Sequence, residues 1–265
     1  MKLMKLVLVW VSLMGVVTSC VFPPPDRHAL YVFNTDDAIK QAFESIRQKE
    51  HYADDFDYDA AEAVHVVFAD GSLGAFVAFE VAGPARGYQV LMQANGGLLT
   101  VLEQRNTAPN GWGRRMTGWG DTIHTPMTHI TMTLEVGQPE QALLKVNGRG
   151  HLGTGSFDND TFEFIDVRDK HIRVLFRGAD ASESINPGGW SETYWHRFVQ
   201  DEQKPIQIYV DATKCIYKWH GKDYVKDDCR TETIAYSYNG VEFVDELGEP
   251  SGYGTTKFMK TEVKP

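Results

Sequence analysis

Two glycine-rich stretches of the sequence concentrate tryptophan beside arginine. Residues 110–122 read NGWGRRMTGWGDT, and residues 186–198 read NPGGWSETYWHRF. Aromatic rings next to arginine donors suit sugar rings or exposed peptide groups, and binding residues are often carried on loops. The alternative is that the rings fold back and close the ends of a β core. The binding interpretation assigns the contact to Trp112, Arg114, Arg115, Trp119, Trp190, Tyr194 and Trp195.

Carboxylate pairs are the main enzymatic possibility in this sequence. A glycosidase uses two carboxyl groups, and Glu192 with Asp158 is one combination that the chain offers. The spacing selects no particular pair, and the sequence has no G-x-S-x-G, H-E-x-x-H or phosphate-loop motif. We therefore assign no catalytic residue, and the sequence favours binding over catalysis.

Histidine and methionine are clustered in residues 124–132, HTPMTHITM. Such soft ligands suit copper. Alternation along a strand sends Met132 inward with Ile130 and turns His129 to the other face. The strand geometry therefore argues against a metal site built from His124, Met127, His129 and Met132.

Two acidic segments share the pattern F-D-x-D-x-x-E-x-apolar, FDYDAAEAV at 56–64 and FDNDTFEFI at 157–165. They resemble the calcium loop and following strand of integrin-type FG-GAP propeller repeats, although Ala60 and Thr161 replace the loop glycine of that family. The resemblance implies propeller-like blades and a calcium site, and the alternative is a pair of acidic turns. No other cofactor is indicated. The acids that would supply hard oxygen ligands are Asp55, Asp57, Asp59, Asp158 and Asp160.

The N-terminus has the features of a secretory signal. Lys2 and Lys5 precede an apolar run from Leu6 to Val17. This run is about a dozen residues long, short of the roughly 20 that a membrane-spanning helix needs. We therefore interpret it as a signal peptide.

The segment Val17-Thr18-Ser19-Cys20 resembles the bacterial lipobox. The resemblance implies that residues 1–20 hold a signal cleaved just before Cys20, which becomes the acylated first residue of the mature protein. In a Gram-negative cell it also implies an outer-membrane lipoprotein facing the periplasm, because Val21 stands where an Asp favours inner-membrane retention. Two or more acyl chains hold a protein on a membrane stably. An ordinary signal peptide with an incidental cysteine is the alternative.

The other two cysteines are expected to pair. Cys215 and Cys229 flank a predicted hairpin turn at His220-Gly221, and disulfides form in oxidising compartments outside the cytoplasm. Closing a loop of this size would add about 3 kcal/mol to stability. Two free thiols are the alternative.

Charge restricts the partners. The chain has 26 basic and 36 acidic residues, a formal net charge of −10. Phosphate-backbone binding relies on clustered Lys and Arg, so nucleic acid is not an expected partner. The expected partners are the membrane, through the N-terminal lipid, and an envelope protein or glycan.

The elements that would position these residues are mostly strands. Residues 36–50 are the one clear helix, because apolar residues recur at helical spacing after the N-cap signal at Asn34. Later segments alternate, such as Ile130 to Val136, Ile172 to Phe176 and Ile206 to Val210. The sequence predicts a mostly β fold, an antiparallel hairpin-rich sandwich or small propeller. Turn signals lie at Asp70-Gly71, Asn95-Gly96-Gly97, Asn147-Gly148, His220-Gly221 and Asn239-Gly240.

Two short segments repeat an aromatic hairpin pattern, YKWHGKDYVKD at 217–227 and YSYNGVEFVDE at 236–246. We interpret both as tight hairpins with cross-strand aromatic pairs.

Residues 21–28 are predicted to be a Pro-rich tether, and residues 29–265 a single β-rich periplasmic domain. The expected role is non-catalytic binding or scaffolding through the Trp- and Arg-rich loops. The alternatives are an envelope polysaccharide or peptidoglycan hydrolase and a calcium-stabilised propeller-like module.

Overall fold

One α-helix precedes thirteen β-strands in the residues that the computed structural model describes, which are 33–53, 57–81, 86–107, 121–122, 127–152, 157–184 and 189–252. The helix α1 spans Thr35–Glu50. The strands are β1 (Tyr58–Val67), β2 (Leu73–Val81), β3 (Arg86–Asn95), β4 (Leu98–Asn106), β5 (Asp121–Thr122), β6 (Thr128–Met132), β7 (Gln141–Leu152), β8 (Phe157–Asp166), β9 (Arg173–Ser184), β10 (Trp190–Asp201), β11 (Lys204–His220), β12 (Asp223–Tyr238) and β13 (Phe243–Val244).

The strands form a four-stranded sheet, β1-β2-β3-β4, and a nine-stranded sheet. In the larger sheet the order is β13-β12-β11-β10-β9-β8-β7-β5, with β6 also paired to β7. Every pair is antiparallel, and most neighbours follow one another along the chain. The predicted mostly β, antiparallel and hairpin-rich fold with one N-terminal helix is confirmed.

The helix begins where its N-cap residue, Asn34, predicts. The Asn34 side chain accepts a hydrogen bond from the N–H of Asp36 at 2.9 Å, which satisfies a backbone donor of the first turn. His51 terminates the helix in the left-handed region, at φ 56°. The prediction of a helix over 36–50 is confirmed. In the described part of the chain no helix has the length and apolar character that a membrane span needs.

Two hydrophobic clusters lie on opposite sides of the four-stranded sheet. On one side, Ile46 of α1 packs with Phe79 of β2 and Val90 of β3. On the other side, Phe76 of β2 packs with Ile165 of β8 in the nine-stranded sheet. The smaller sheet is therefore covered on both faces.

A third cluster lies within the nine-stranded sheet and joins its two ends. Residues Ile206, Ile208 and Val210 of β11 pack there with Phe176 of β9. The N–H of Ile206 also donates to the carbonyl of Thr133, just after β6, at 3.3 Å. The predicted inward alternation from Ile206 to Val210 is confirmed.

Both aromatic hairpins are present. Trp219 lies opposite Tyr224 in the β11–β12 hairpin, with ring centroids 5.0 Å apart. Tyr238 lies opposite Phe243 in the β12–β13 hairpin, with centroids 5.6 Å apart. The Cys215–Cys229 disulfide is confirmed as well.

Four of the predicted turns join strands as expected, and the fifth is wrong. Asn147-Gly148 lies inside β7, where Asn147 pairs with Phe162 and Gly148 with Thr161 of β8. A Cβ at position 148 would lie 3.2 Å from the Thr161 hydroxyl, so glycine here relieves crowding between strands instead of forming a turn. The predicted alternation also fails at Val136, which is 53% exposed beyond the end of β6.

Candidate functional site

The second Trp-rich stretch is a strand from Trp190 onward, so the prediction of a loop is wrong for residues 190–198. Tyr194 is half-buried, whereas Trp195 is 68% exposed. Successive residues of a strand face opposite sides, which explains the difference. In the first stretch, Trp112, Arg114, Arg115 and Trp119 lie outside the described residues, and its last two residues form β5.

One side of β10 closes the aromatic core. The ring centroid of His196 lies 4.8 Å from that of Phe162 and 6.0 Å from that of Phe176. Burial, and secondarily the charge of Lys145, lowers the pKa of His196 to about 4. The imidazole is therefore neutral near pH 7 and belongs to the core.

The other side of β10 continues onto β11 and β12 and is called the open face here. Trp195 lies opposite Asp211 on β11, and Asp211 lies opposite Thr233 on β12. The side chains that form the open face are Trp195, Arg197, Tyr209, Asp211, Thr213, Thr231 and Thr233.

Hydrogen bonds fix the polar groups beside Trp195. Arg197 donates from Nε to Oδ2 of Asp211 at 3.0 Å and from Nη2 to Oδ1 at 3.3 Å. Thr233 donates its hydroxyl to the same carboxylate at 2.6 Å. The bond from Arg197 first, and then that from Thr233, lowers the pKa of Asp211. A paired, ionised carboxylate therefore lies in the row next to the exposed indole.

Further contacts order the rest of the open face. The Arg197 guanidinium lies 5.3 Å from the ring centroid of Tyr209, a cation–π distance. The hydroxyls of Thr213 and Thr231 are 2.9 Å apart. These side chains are held in place before any ligand arrives, which lowers the entropy cost of binding.

The open face suits binding better than covalent chemistry. An exposed indole offers a flat apolar surface, and the neighbouring groups offer donors and acceptors in fixed directions. Sequence reasoning did not select Tyr209, Asp211 or Thr233. The available signal was the spacing of two between Trp195 and Arg197 and between Tyr209 and Asp211, which places each pair on one side of a strand.

Glu192, the proposed half of a carboxylate pair, is buried in β10. Its side chain is 1% exposed, accepts a hydrogen bond from the Tyr194 hydroxyl, and lies 3.9 Å from the Lys214 ammonium. Burial raises the pKa of Glu192, partly offset by Tyr194 and Lys214.

The register does not pair Glu192 with Asp158. Glu192 lies opposite Ser182 of β9, which lies opposite Asn159 of β8. Asp158 lies opposite Glu183, one row away. Glu192 and Asp158 therefore lie in adjacent rows, on strands that are separated by β9.

The predicted calcium ligands fall in two different sheets. Asp57 immediately precedes β1 and Asp59 lies within it. Asp158 and Asp160 lie within β8 of the larger sheet, and Asp55 lies outside the described residues. Among the residues with a described position, no group of three or more His, Cys, Asp or Glu side chains is arranged to hold a metal ion.

The His/Met cluster divides as strand alternation predicts. Met132 is buried and His129 is exposed, on opposite sides of β6. Met127 is buried in the cluster between the sheets. His124 lies outside the described residues.

A buried polar group links the two sheets. Glu163 of β8 accepts from Gln89 of β3 at 3.1 Å and from Arg177 of β9 at 3.2 Å, and it is also paired with Arg105 of β4. Glu163 lies in the second acidic segment of the sequence, and its contacts are structural.

The β11–β12 hairpin extends past the sheet as a two-stranded arm, residues 217–228. The neighbouring strand β10 begins opposite Ile216, so in the described chain the arm has no third strand beside it. Cys215 and Cys229 are bonded at its base. Trp219 of the arm is 57% exposed, which makes it a second exposed indole far along the strand from the open face.

No protein-family model matches the chain, and no curated protein or solved structure shows significant similarity to it. Function is therefore inferred from the residues of the chain and their contacts.

Proposed function

We propose that this protein is a lipid-anchored cell-envelope lipoprotein whose role is non-catalytic binding, and that the open face is its contact surface for an envelope glycan. The observation that carries the proposal is the exposed indole of Trp195 next to the prearranged Arg197, Asp211 and Thr233. Sugar rings stack on such an indole, and their hydroxyls bond to fixed charged groups.

The polar surroundings of Trp195 favour a glycan over a protein partner. The core of a protein–protein interface is depleted in charge and rich in apolar side chains. Asp211 lies directly opposite Trp195, and Thr233 continues the same row. A saccharide can bond to these groups without burying them in an apolar interface.

The membrane part of the proposal rests on the sequence alone. The lipobox-like segment ending at Cys20 supports acylation there, and residue Val21 supports outer-membrane placement facing the periplasm. Intact-mass measurement of the membrane-extracted protein tests this part. The mass of an acylated N-terminal Cys20 is expected, and an unmodified thiol would contradict it.

Binding is tested by cosedimentation of the full chain with insoluble envelope polysaccharide, comparing two exposed tryptophans. Trp195→Ala is expected to weaken binding at least tenfold, which corresponds to about 1.4 kcal/mol. Trp219→Ala, the matched control on the arm, is expected to bind like the unaltered chain. Equal binding by all three proteins would contradict the assignment of the open face.

Two alternatives make different predictions. A hydrolase would release soluble fragments from the polysaccharide and lose that activity in Glu192→Gln. A calcium-stabilised module would melt at a higher temperature in calcium than in chelator, because a ligand that binds only the folded state stabilises it. Binding without fragment release and without a calcium effect is the expected result.

A further inference from the structure

Within the described residues, the β12 strand has a long edge without a neighbouring strand. β11 pairs along one side of it, whereas β13 pairs on the other side only with Ser237 and Tyr238. From Asp223 to Tyr236, no other described strand pairs with this edge. Unpaired edges present backbone N–H and C=O groups that readily accept another strand.

Two charged residues on this edge, Arg230 and Glu232, have no residue of opposite charge across from them on β11. Arg230 lies directly opposite Lys214 of β11, and like charges directly opposite each other are destabilising. The Lys214 ammonium lies near Glu192. The carboxylate that Arg230 contacts among the described side chains is that of the exposed Asp228, at 3.6 Å. Glu232 lies two residues along the strand, opposite Ala212. Arg230 and Glu232 thus project from the same side of the edge strand.

We propose that β12 pairs antiparallel with β12 of a second copy of this chain, about a two-fold axis at Thr231. In this register Arg230 lies opposite the partner subunit's Glu232, and Glu232 lies opposite the partner subunit's Arg230. Two cross-strand ion pairs form, and each Arg230 gains the opposite charge that β11 does not supply. A strand with this charge order is complementary to itself in the antiparallel direction.

The sheet irregularity at the base of the arm limits the length of this pairing. The register between β11 and β12 shifts between Cys215 and Tyr217, where β12 holds an extra residue. Bulges interrupt a ladder, so regular pairing covers residues 229–233. An interface this short buries little surface, and the dimer is weak and concentration-dependent.

Pairing about this axis joins the open faces of the two copies on one side of a continuous sheet. Two Trp195 sites would then engage one long polymer, and the second contact would become intramolecular. The dimer itself does not depend on what the open face binds.

Sedimentation velocity of the full chain in a density-matched detergent, over a range of concentrations, tests the proposal. The unaltered chain is expected to pass from monomer to dimer as its concentration rises. Arg230→Glu and Glu232→Arg, each alone, place like charges opposite each other across the axis and are expected to raise the dissociation constant at least tenfold. The combined Arg230→Glu/Glu232→Arg variant is expected to restore dimerisation.

The same set of variants also shows whether loss of the dimer could result from unfolding. Arg230→Glu places an opposite charge across from Lys214 in the register of β11 and β12. The variant is therefore not expected to unfold, and loss of its dimer would report on the edge. Lys204→Glu, an exposed charge reversal at the start of β11, is expected to dimerise normally. A chain that is monomeric at every concentration would overturn the proposal and assign the edge to another partner. A dimer that persists in both single variants, or one that the combined variant does not restore, would also overturn it.

Discussion

The strands β2 and β12 belong to the same kind of antiparallel ladder but lie in opposite environments. Every residue of β2 from Gly74 to Val81 is buried. In β12, most side chains are exposed and none is fully buried. The difference arises because β2 lies between α1 and the larger sheet, whereas no described element covers the open face of β12 or pairs with most of its outer edge.

The residue types of β2 and β12 indicate different roles, folding stability for β2 and ligand contact for β12. The β2 sequence, LGAFVAFEV, is a nearly continuous apolar run, typical of a strand covered on both faces. The β12 sequence, DYVKDDCRTETIAYSY, is rich in charge and hydroxyl groups, which remain favourable in water. The four-stranded sheet therefore contributes to stability through burial on both faces, whereas the β10–β12 region buries one side in the third cluster and leaves the other side open to a ligand.

The largest difference in unfolding free energy between the four-stranded sheet and the open face is expected when an aromatic ring is removed from each. Phe79→Ala leaves a cavity between α1 and β2 and is expected to lower the free energy of unfolding by about 3–5 kcal/mol. Trp195→Ala removes an exposed ring and is expected to change it by less than about 0.5 kcal/mol. Urea denaturation of both variants measures the two values. A loss of several kcal/mol in Trp195→Ala would show that this ring closes the core.

An intermediate effect is expected from the disulfide at the base of the arm. An isolated two-stranded hairpin is marginally stable, so the arm depends on the Cys215–Cys229 bond. The Cys215→Ser/Cys229→Ser variant is expected to lose about 3 kcal/mol of unfolding free energy. Hydrogen exchange should increase most in residues 217–228. Unchanged exchange there would contradict the dependence of the arm on the bond.

The smallest effect concerns how folding stability depends on pH. The buried carboxylate of Glu192 and the carboxylate of Asp211 on the open face are expected to change stability in opposite directions as pH rises. Burial raises the pKa of Glu192 above its usual 4.5, so its ionisation destabilises the folded state as pH rises above that value. Glu192→Gln is expected to gain thermal stability relative to the unaltered chain between about pH 4.5 and 7.

Asp211 provides the contrast. Its hydrogen bonds with Arg197 and Thr233 lower its pKa below the usual 3.8, so its contribution is present above that pH and is lost as pH falls below it. Asp211→Asn is expected to be less stable than the unaltered chain at pH 7, with the difference disappearing in acid. Thermal melting across this pH range measures both variants, and the same sign for the two would contradict the assigned environments.

The sequence predicted those elements whose structure is determined by residues close together in the chain, such as a helix cap or a hairpin turn. The start of the helix follows from the Asn34 cap, and the His220-Gly221 turn with its flanking cysteines predicted both the β11–β12 hairpin and the disulfide. The Asn147-Gly148 turn was wrong because the packing of β7 against β8 overrides the local preference.

The open face depends on contacts that local patterns do not contain. Trp195, Asp211 and Thr233 come from three strands and meet only because of the register of β10, β11 and β12. The burial of Glu192 likewise depends on that register. Sequence reasoning therefore identified Trp195 but neither its exposure nor its polar neighbours.

Hydroxyl-radical footprinting of the full chain, with and without envelope polysaccharide, tests whether the open face is the contact surface. Oxidation of Trp195 is expected to fall when the polysaccharide is bound, while oxidation of the arm residue Trp219, which is also exposed, is expected not to change. Polysaccharide binding that leaves Trp195 as reactive as before would contradict the assignment of the open face as the contact surface.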